Sequence, residues 1–266
     1  MIDPFKIDSP TCISFSGGRT SAYMLWRVLQ ANDGLPDEAV VCFANTGKED
    51  EATLRFVDRC SKEWDVPIKW LEFQAEQPGF AVVDYTSASR QGQPFEALIT
   101  KKNYLPNTFA RFCTTELKIA PMKKFLQSLG WAEFATFVGI RADEPRRVAK
   151  MRDNQDEKLT PLASSGISNA DVLDFWSKQK FNLETVTVGG NSLLSNCDLC
   201  FLKKPAHLLN LVKDNPERAI WWANQEQRIG ARFNRAIPAY RDMLHYVANQ
   251  RELFEGIDGI DCFCGD

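Results

Sequence analysis

An eight-residue segment near the start of the chain combines two glycines with hydroxyl groups and an arginine, and this combination can hold a phosphate group. The segment, Ser14–Ser21, reads Ser-Phe-Ser-Gly-Gly-Arg-Thr-Ser. Two adjacent glycines carry no side chain that would keep backbone N–H groups away from an anion. An amphipathic helix is predicted to follow directly, and its positive dipole end would face the same anion. The candidate contacts are Ser14, Ser16, Gly17, Gly18, Arg19, Thr20 and Ser21. An ordinary Ser-Gly-Gly turn is the alternative.

Two further segments place polar groups after apolar runs. Asn45-Thr46-Gly47 follows the run 39–44, and its polar groups could contact a ribose or a base; a plain turn is the alternative. Three arginines follow the run 136–140, namely Arg141, Arg146 and Arg147. The planar guanidinium binds phosphate or sulfate through two parallel hydrogen bonds. We therefore expect these arginines at an anion, with a solvated charge run as the alternative.

The eight cysteines fall into two groups. Cys12 and Cys42 lie in apolar runs and Cys60 on a predicted helix, which is typical of core thiols. The other five lie in turn-like or polar settings: Cys113, Cys197, Cys200, Cys262 and Cys264. Cys197-Asp198-Leu199-Cys200 is a CxxC, a spacing that suits zinc, redox or iron–sulfur chemistry. No signal-peptide pattern is present, so a disulfide framework is not indicated.

The elements that must position these groups alternate between strand and helix. Strands are predicted at 11–15, 39–44, 68–73 and 136–140, with a helix at 51–64, and residues 74–110 are expected to be irregular. Near-continuous apolar strands separated by helices predict an α/β fold, a parallel sheet with helices on both faces. Ligands bind such sheets at the carboxyl ends of the strands, where the phosphate loop, Asn45-Thr46-Gly47 and Arg141 all follow.

Taken in order, these segments resemble the phosphoadenosine-phosphosulfate (PAPS) reductase family of the PP-loop superfamily, whose SGGxxS loop binds the phosphates of ATP or related adenine nucleotides. The resemblance covers most of residues 10–200 and implies the adenine nucleotide alpha-hydrolase-like fold. In members with an iron–sulfur cluster, a block like 113–122 and a later CxxC ligate a [4Fe-4S] centre. The resemblance therefore implies Cys113, Cys197 and Cys200 as ligands of that cluster, with zinc as the alternative metal.

The chain departs from the family pattern in three ways. Thr114 stands where a second cysteine ligand is expected. Either Cys262 or Cys264 supplies the fourth ligand, or one iron stays open to bind the substrate sulfur, and we favour a tail ligand. The loop keeps a full SGGxxS, whereas reductases that use adenylylsulfate (APS) or PAPS have a degenerate loop. The reductases also end in Glu-Cys-Gly-x-His, of which Cys264-Gly265 retains only the Cys-Gly.

Three hypotheses follow. The favoured one is ATP-dependent adenylation coupled to sulfur transfer, with Arg141 stabilising the leaving pyrophosphate and Mg²⁺ assisting. The second is a sulfonucleotide (APS/PAPS) reductase in which Cys264 attacks the sulfonyl group. The third is a non-catalytic nucleotide-binding subunit with a structural zinc site. Either enzyme needs a sulfur donor or a thiol reductant protein as partner, and the acceptor could be a nucleic acid, a small molecule or a protein.

Composition argues against some classes of protein. A net charge of −3 argues against a general nucleic-acid coat or a membrane-surface protein, although it leaves room for a local basic groove. We find no apolar stretch of membrane-spanning length and expect a cytoplasmic protein. The pattern is helical from residue 205 onward, which predicts a nucleotide-binding α/β domain at 1–204 and a helical region with a cysteine-containing tail at 205–266.

Overall fold

The computed structural model describes residues 3–152, 158–185, 187–188, 191–192, 194 and 197–254. Contacts within the chain divide it into two units. The first comprises residues 1–101 and 112–198, and the second comprises residues 102–111 and 199–266. The division therefore falls inside the CxxC, six residues before the boundary expected at 204, and a short loop from the middle of the chain groups with the second unit.

The first unit is built on a six-stranded sheet in the order β4-β3-β2-β1-β5-β6. Its strands are β1 (Thr11–Ser14), β2 (Ala39–Asn45), β3 (Ile68–Phe73), β4 (Phe80–Val83), β5 (Ala135–Val138) and β6 (Lys158–Leu159). All neighbouring pairs are parallel except β3 and β4, which pair antiparallel at one edge. The expected parallel α/β sheet is confirmed, and β1 lies near its centre, where the phosphate loop leaves it.

Helices connect these strands. They are α1 (Arg19–Asn32), α2 (Glu51–Glu63), α3 (Gln93–Lys102), α4 (Phe112–Thr114), α5 (Ala120–Ser128), α6 (Pro145–Arg152), α7 (Pro161–Ser164) and α8 (Asn169–Ser177). A π-helical turn, Thr115–Ile119, joins α4 to α5. A two-stranded ribbon, β7 (Thr187–Val188) and β8 (Asn191–Ser192), follows. Ser168 caps α8: its hydroxyl accepts a hydrogen bond from Asp171 N, and the Asp171 carboxylate accepts one from Ser168 N.

Apolar side chains of the strands and helices form the core of this unit. Ile13, Val41 and Phe43 from the sheet pack with Leu25 of α1 and Trp176 of α8 in one cluster. On the other face Cys12 and Cys42 pack together with Leu126 of α5. The burial of these two cysteines confirms that they are core thiols, and Cys60 is likewise buried.

Residues 74–110 correct one expectation, because they are not irregular throughout. The segment contains the edge strand β4 and the helix α3. β4 is apolar throughout, but it is only four residues long and half-buried, because it lies at the edge of the sheet. Helix α3 begins at Gln93-Pro94, where proline fits the first turn because it has no N–H to leave unbonded.

The second unit contains α9 (Pro205–Asp214), α10 (Glu217–Ile229) and α11 (Tyr240–Phe254), which confirms the helical region. Trp222, Phe233 and Tyr240 pack against one another with ring centroids 5.0–6.1 Å apart. Glu226 is buried and accepts hydrogen bonds from Phe233 N and Tyr240 N, so one carboxylate fixes the connection between α10 and α11. Within the described residues, no helix has both the length and the apolar character needed to cross a membrane.

Candidate functional site

No side chain caps the start of α1, the helix that follows the phosphate loop. Gly18 is the N-cap residue, no side chain caps the helix, and the first turn has no acidic residue. Among the described residues, none accepts a hydrogen bond from the backbone N–H groups of residues 17–20. Orphan N–H groups at a positive helix end are the groups that bind a phosphate or another anion.

The hydroxyl of Ser21 closes this loop. Ser21 Oγ accepts a hydrogen bond from Ser16 N at 3.1 Å, donates to Gly18 O at 3.0 Å, and lies 3.0 Å from Ser16 Oγ. Because Ser21 is buried, its hydroxyl shapes the loop, whereas Ser16 is exposed and Thr20 half-buried. The last two are therefore the hydroxyl groups that a ligand can reach.

The two glycines of the loop have different structural roles. Gly17 has φ +76°, and a Cβ there would lie 2.6 Å from Thr53 Cγ2 of α2, so the close packing of the loop on α2 excludes any larger residue. Gly18 has ordinary extended backbone, and a Cβ would meet only Ser16 Oγ at 3.8 Å. The space above Gly18 is thus open, and a side chain there would occupy the place of a ligand.

The end of β5 lies directly beside this loop. A Cβ on Gly139 would lie 3.0 Å from Ser21 Cα, so the strand end and the first turn of α1 are in close contact. Arg141 Nη1 donates to Thr20 Oγ1 at 3.1 Å, and Arg141 Nε donates to Asp143 Oδ1 at 2.9 Å. The Arg141 side chain is 15% exposed. The predicted proximity of Arg141 to the phosphate loop is therefore seen in the geometry.

The other candidate arginines have different surroundings. Arg146 and Arg147 lie on α6 and are exposed, and Arg147 pairs with Glu144. Arg19 Nε donates to Asn182 Oδ1 at 2.7 Å and its Nη2 donates to Leu183 O at 2.7 Å. Burial lowers the pKa of the Arg19 guanidinium. Arg19 thus ties α1 to the segment after α8, a role that the loop motif alone does not indicate.

The buried carboxylate of Glu72 supports the Asn45-Thr46-Gly47 turn. Asn45 Nδ2 donates to Glu72 Oε1 at 2.6 Å and to Ser89 O at 2.9 Å. Glu72 also accepts hydrogen bonds from Ser89 N and Ser89 Oγ, and Asn45 Oδ1 accepts one from Gly47 N. The Asn45 amide is fully buried and is used within the protein, so a ligand at this strand end meets the turn rather than that amide. Sequence reasoning missed Glu72 and Ser89, because a charged residue inside a strand and a serine in a loop carry no motif.

Three of the predicted segments meet at Glu49. Its carboxylate accepts hydrogen bonds from Thr46 N at 2.8 Å and Thr46 Oγ1 at 2.9 Å, and Lys118 Nζ lies 3.9 Å from its Oε1. Cys197 Sγ lies 3.6 Å from Thr46 Oγ1, and Glu49 and Cys197 form an antiparallel β-bridge. The structure thus brings the Asn45-Thr46-Gly47 turn, the block 113–122 and the first CxxC cysteine into one buried cluster.

Cys113 lies inside a helical segment, which corrects the expectation of a turn-like setting. Residues 112–128 are helical throughout, and the Ala120 N–H bonds to Thr115 O, the longer spacing of a π turn. Pro121 explains this turn, because its ring has no N–H and would clash with a carbonyl in a regular α-helix. Cys113 itself is half-buried.

The expected metal ligands do not form an assembled centre. Within the described part of the chain, no three side chains of His, Cys, Asp or Glu are grouped so that they could hold one ion. Cys113 and Cys197 belong to the first unit and Cys200 to the second. The two tail cysteines, Cys262 and Cys264, lie outside the described residues. The ligand set therefore stays a prediction.

Comparison with known proteins identifies the family. A family model for the phosphoadenosine phosphosulfate reductase domain matches residues 10–182, and that domain has the adenine nucleotide alpha-hydrolase-like fold. An uncharacterised nin region protein of Escherichia phage lambda, ORF290, is 34% identical over 212 residues, 76% of this chain and 69% of its own length. An uncharacterised protein of Methanocaldococcus jannaschii, MJ0066, is 29% identical over 148 residues, 55% of this chain and 26% of its own length.

Proposed function

The chain belongs to the phosphoadenosine phosphosulfate reductase family, and we propose that it is an enzyme that adenylates a substrate with ATP and then transfers sulfur to it. The observation that carries the proposal is the uncapped start of α1, with unengaged N–H groups and open space above Gly18. The full SGGxxS loop favours ATP over a sulfonucleotide. The family supports nucleotide-linked sulfur chemistry, and the choice of ATP is our proposal.

In this proposal the loop binds the ATP phosphates through its backbone N–H groups and the hydroxyls of Ser16 and Thr20. An oxygen of the substrate attacks the α-phosphorus, the bond between the α-phosphorus and the bridging oxygen breaks, and pyrophosphate leaves. Arg141 is next to Thr20 and offsets the negative charge that develops on pyrophosphate. Mg²⁺ would share this role when bound. A sulfur nucleophile then displaces AMP from the adenylated substrate.

The Asn45-Thr46-Gly47 turn is proposed to contact the ribose or the base. It ends β2, which is the neighbour of β1, so both lie at the carboxyl edge of the sheet. Glu72 and Ser89 hold the turn in place by hydrogen bonds to Asn45. A turn fixed in this way presents its backbone groups to a ligand without having to be ordered on binding.

The sulfur-handling groups are proposed to be Cys113, Cys197 and Cys200, as a [4Fe-4S] centre or, alternatively, a zinc site, with Cys262 as the fourth ligand. The contact between Cys197 and Thr46 supports a functional connection between this thiol and the strand end. A sulfur donor or thiol reductant protein would be the partner. The absence of an assembled ligand group among the described residues makes metal analysis the deciding measurement.

A second candidate is a sulfonucleotide reductase, favoured by the retained Cys264-Gly265 at the end of the chain. The Cys264 thiolate would attack the sulfonyl sulfur of APS or PAPS, the sulfur–oxygen bond to the nucleotide would break, and a thiol reductant would release sulfite. Arg141 suits a sulfate as well as a phosphate.

Calorimetry and product analysis distinguish the two. We expect the anaerobically purified protein to bind ATP and to release pyrophosphate when its substrate is present. Tight binding of APS or PAPS with release of sulfite, and no binding of ATP, would replace the first proposal with the second. Binding of none of the three nucleotides would overturn both.

A further inference from the structure

The loop Lys102–Arg111 presents an aromatic ring to solvent on a well-organised turn. Phe109 is fully exposed, at 100%, and Tyr104 is 48% exposed. Full exposure of a phenylalanine is unfavourable in water, because the ring surface is apolar. The whole surface of this ring is therefore open to a ligand.

Asn107 organises the turn that carries Phe109. Asn107 Oδ1 accepts hydrogen bonds from Phe109 N and Ala110 N, both at 2.9 Å, and Asn107 N donates to Ala110 O at 3.1 Å. Asn107 Nδ2 donates to Tyr104 Oη at 2.7 Å. Leu105, at 1% exposed, anchors the base of the loop. The ring of Phe109 is thus presented by fixed backbone, not by a loose chain.

The charge of this region has one sign. Lys102 and Arg111 bound the loop and are exposed, and the sequence contains no acidic residue between Glu96 and Glu116. In a chain with a net charge of −3, this is a local positive segment. The exposed neighbours of Phe109, Thr108 and Ala110, have small side chains, so Phe109 does not belong to a broad apolar patch. A stable protein interface buries about 800 Å² on each partner, so a single ring suits such a partner poorly.

We propose that Lys102–Arg111 is a contact surface for single-stranded nucleic acid. An unpaired base would stack on Phe109, while Arg111 and Lys102 would contact the neighbouring phosphates. A duplex keeps its base faces covered, so the loop selects single strands. The binding itself is independent of the proposed enzymatic function. That the bound strand is the sulfur acceptor rests on that function.

The test measures the anisotropy of a labelled single-stranded oligonucleotide of about 15 nucleotides, as DNA and as RNA, with the full-length protein. Loss of one stacking contact predicts that Phe109→Leu weakens binding by about tenfold, whereas Phe109→Trp retains it. Arg111→Gln removes one phosphate contact and should flatten the salt dependence of log K by about 0.7. Tyr246→Leu and Arg235→Gln are matched controls, because both residues are exposed in the same unit, and neither should alter affinity.

Several results would overturn the inference. These are no binding by the native protein, equal affinity of the Leu and Trp variants at Phe109, or equally tight binding of the matching duplex. Sedimentation that shows a native dimer and a monomeric Phe109→Leu variant would instead assign the ring to self-association. ATP binding is measured in the same Phe109→Leu sample and should be unchanged. Retained ATP binding without oligonucleotide binding rejects this inference alone, and the reverse rejects the proposed nucleotide site alone.

Discussion

Lys48 Nζ lies 3.0 Å from Asp198 Oδ2, and the two side chains are only 7% and 9% exposed. The pair joins the residue after the Asn45-Thr46-Gly47 turn to the residue after Cys197. The Asp198 N–H also donates to Lys48 O at 2.7 Å, so side chains and backbone together hold the CxxC segment against the end of β2. The location of Cys197 beside Thr46 depends on this connection.

Lys48→Met should therefore destabilise the protein by about 3–5 kcal/mol, because a buried carboxylate loses its cation. Asp198→Leu in the same chain should restore much of the loss, since a buried apolar pair avoids the desolvation of charge. Urea unfolding of the two single variants and the double variant measures the coupling. Lys62→Met is the control: the Lys62–Asp58 pair is exposed, with Lys62 at 72%, and its loss should cost less than about 1 kcal/mol. Additive effects of Lys48→Met and Asp198→Leu would contradict the prediction.

Substitutions at the two loop glycines should have different effects, one on ATP binding and the other on stability. Gly18→Val should leave the unfolding transition unchanged and abolish ATP binding, because its side chain meets open space in the protein and would block the phosphates. Gly17→Ala should instead destabilise the fold, because its Cβ would clash with Thr53 and its φ is +76°. Calorimetry with ATP and urea unfolding are measured on both variants. Unchanged ATP affinity in a folded Gly18→Val protein would remove the loop from the nucleotide site.

The central strands could be predicted from the sequence because each is a continuous apolar run that ends in a recognisable turn. β3 is found at the predicted residues, and β2 extends by one residue to Asn45. β4 could not be predicted, because its apolar run, Phe80–Val83, is only four residues long, and so short a run does not distinguish a strand from a loop. The same limit applies to the π turn before α5, which depends on how Pro121 is accommodated within a longer helix.

The site was predictable where backbone chemistry determines it and not where buried side chains do. The glycines and hydroxyls of residues 14–21 form a local pattern, and a loop between β1 and α1 is found there. Phosphate binding by this loop stays a prediction. The support of Asn45 by Glu72 and Ser89 joins residues 27 and 44 positions away, and no local pattern records such a contact. Lys48 and Asp198 are still farther apart in the chain, and their pairing depends on the folded arrangement.

Arg141 is predicted to bind the leaving phosphate group, and its truncation should be costly. Arg141→Ala should weaken nucleotide binding by about 2–5 kcal/mol, the range for removing one partner of a buried charge pair. Arg141→Lys should restore only part of this, because an ammonium cannot reproduce the planar fork. Arg59→Ala is the control, since the Arg59 side chain is 45% exposed and pairs with Glu63 on α2. Equal nucleotide affinity of the native protein and both Arg141 variants would show that Arg141 only pairs with its neighbouring acids.

Glu226 should give the second unit a distinct pH dependence. Burial raises the pKa of the Glu226 carboxyl above its ordinary value, so the folded protein holds this proton more tightly than the unfolded chain. Its contribution to the free energy of unfolding is full below the ordinary pKa of about 4.5 and is lost as pH rises through the raised value. The stability of the native protein relative to Glu226→Gln should therefore fall with rising pH in urea titrations. A flat difference for Glu226→Gln would contradict the assignment.

The thiol groups are expected to bind a metal centre in the anaerobically prepared protein. Neighbouring thiolates repel one another, and a bound metal offsets that repulsion. For a [4Fe-4S] centre we expect iron and sulfide in equal amounts. Ala substitutions at Cys113, Cys197 and Cys200 should each lose the iron, whereas Cys60→Ala, in a buried thiol of α2, should retain it. Cys262→Ala should lose iron if the tail supplies the fourth ligand, and Cys264→Ala should then keep it. Retention of iron in both tail variants would reject a tail ligand. Stoichiometric zinc without iron in the native sample would reject the iron–sulfur centre and support the structural zinc site.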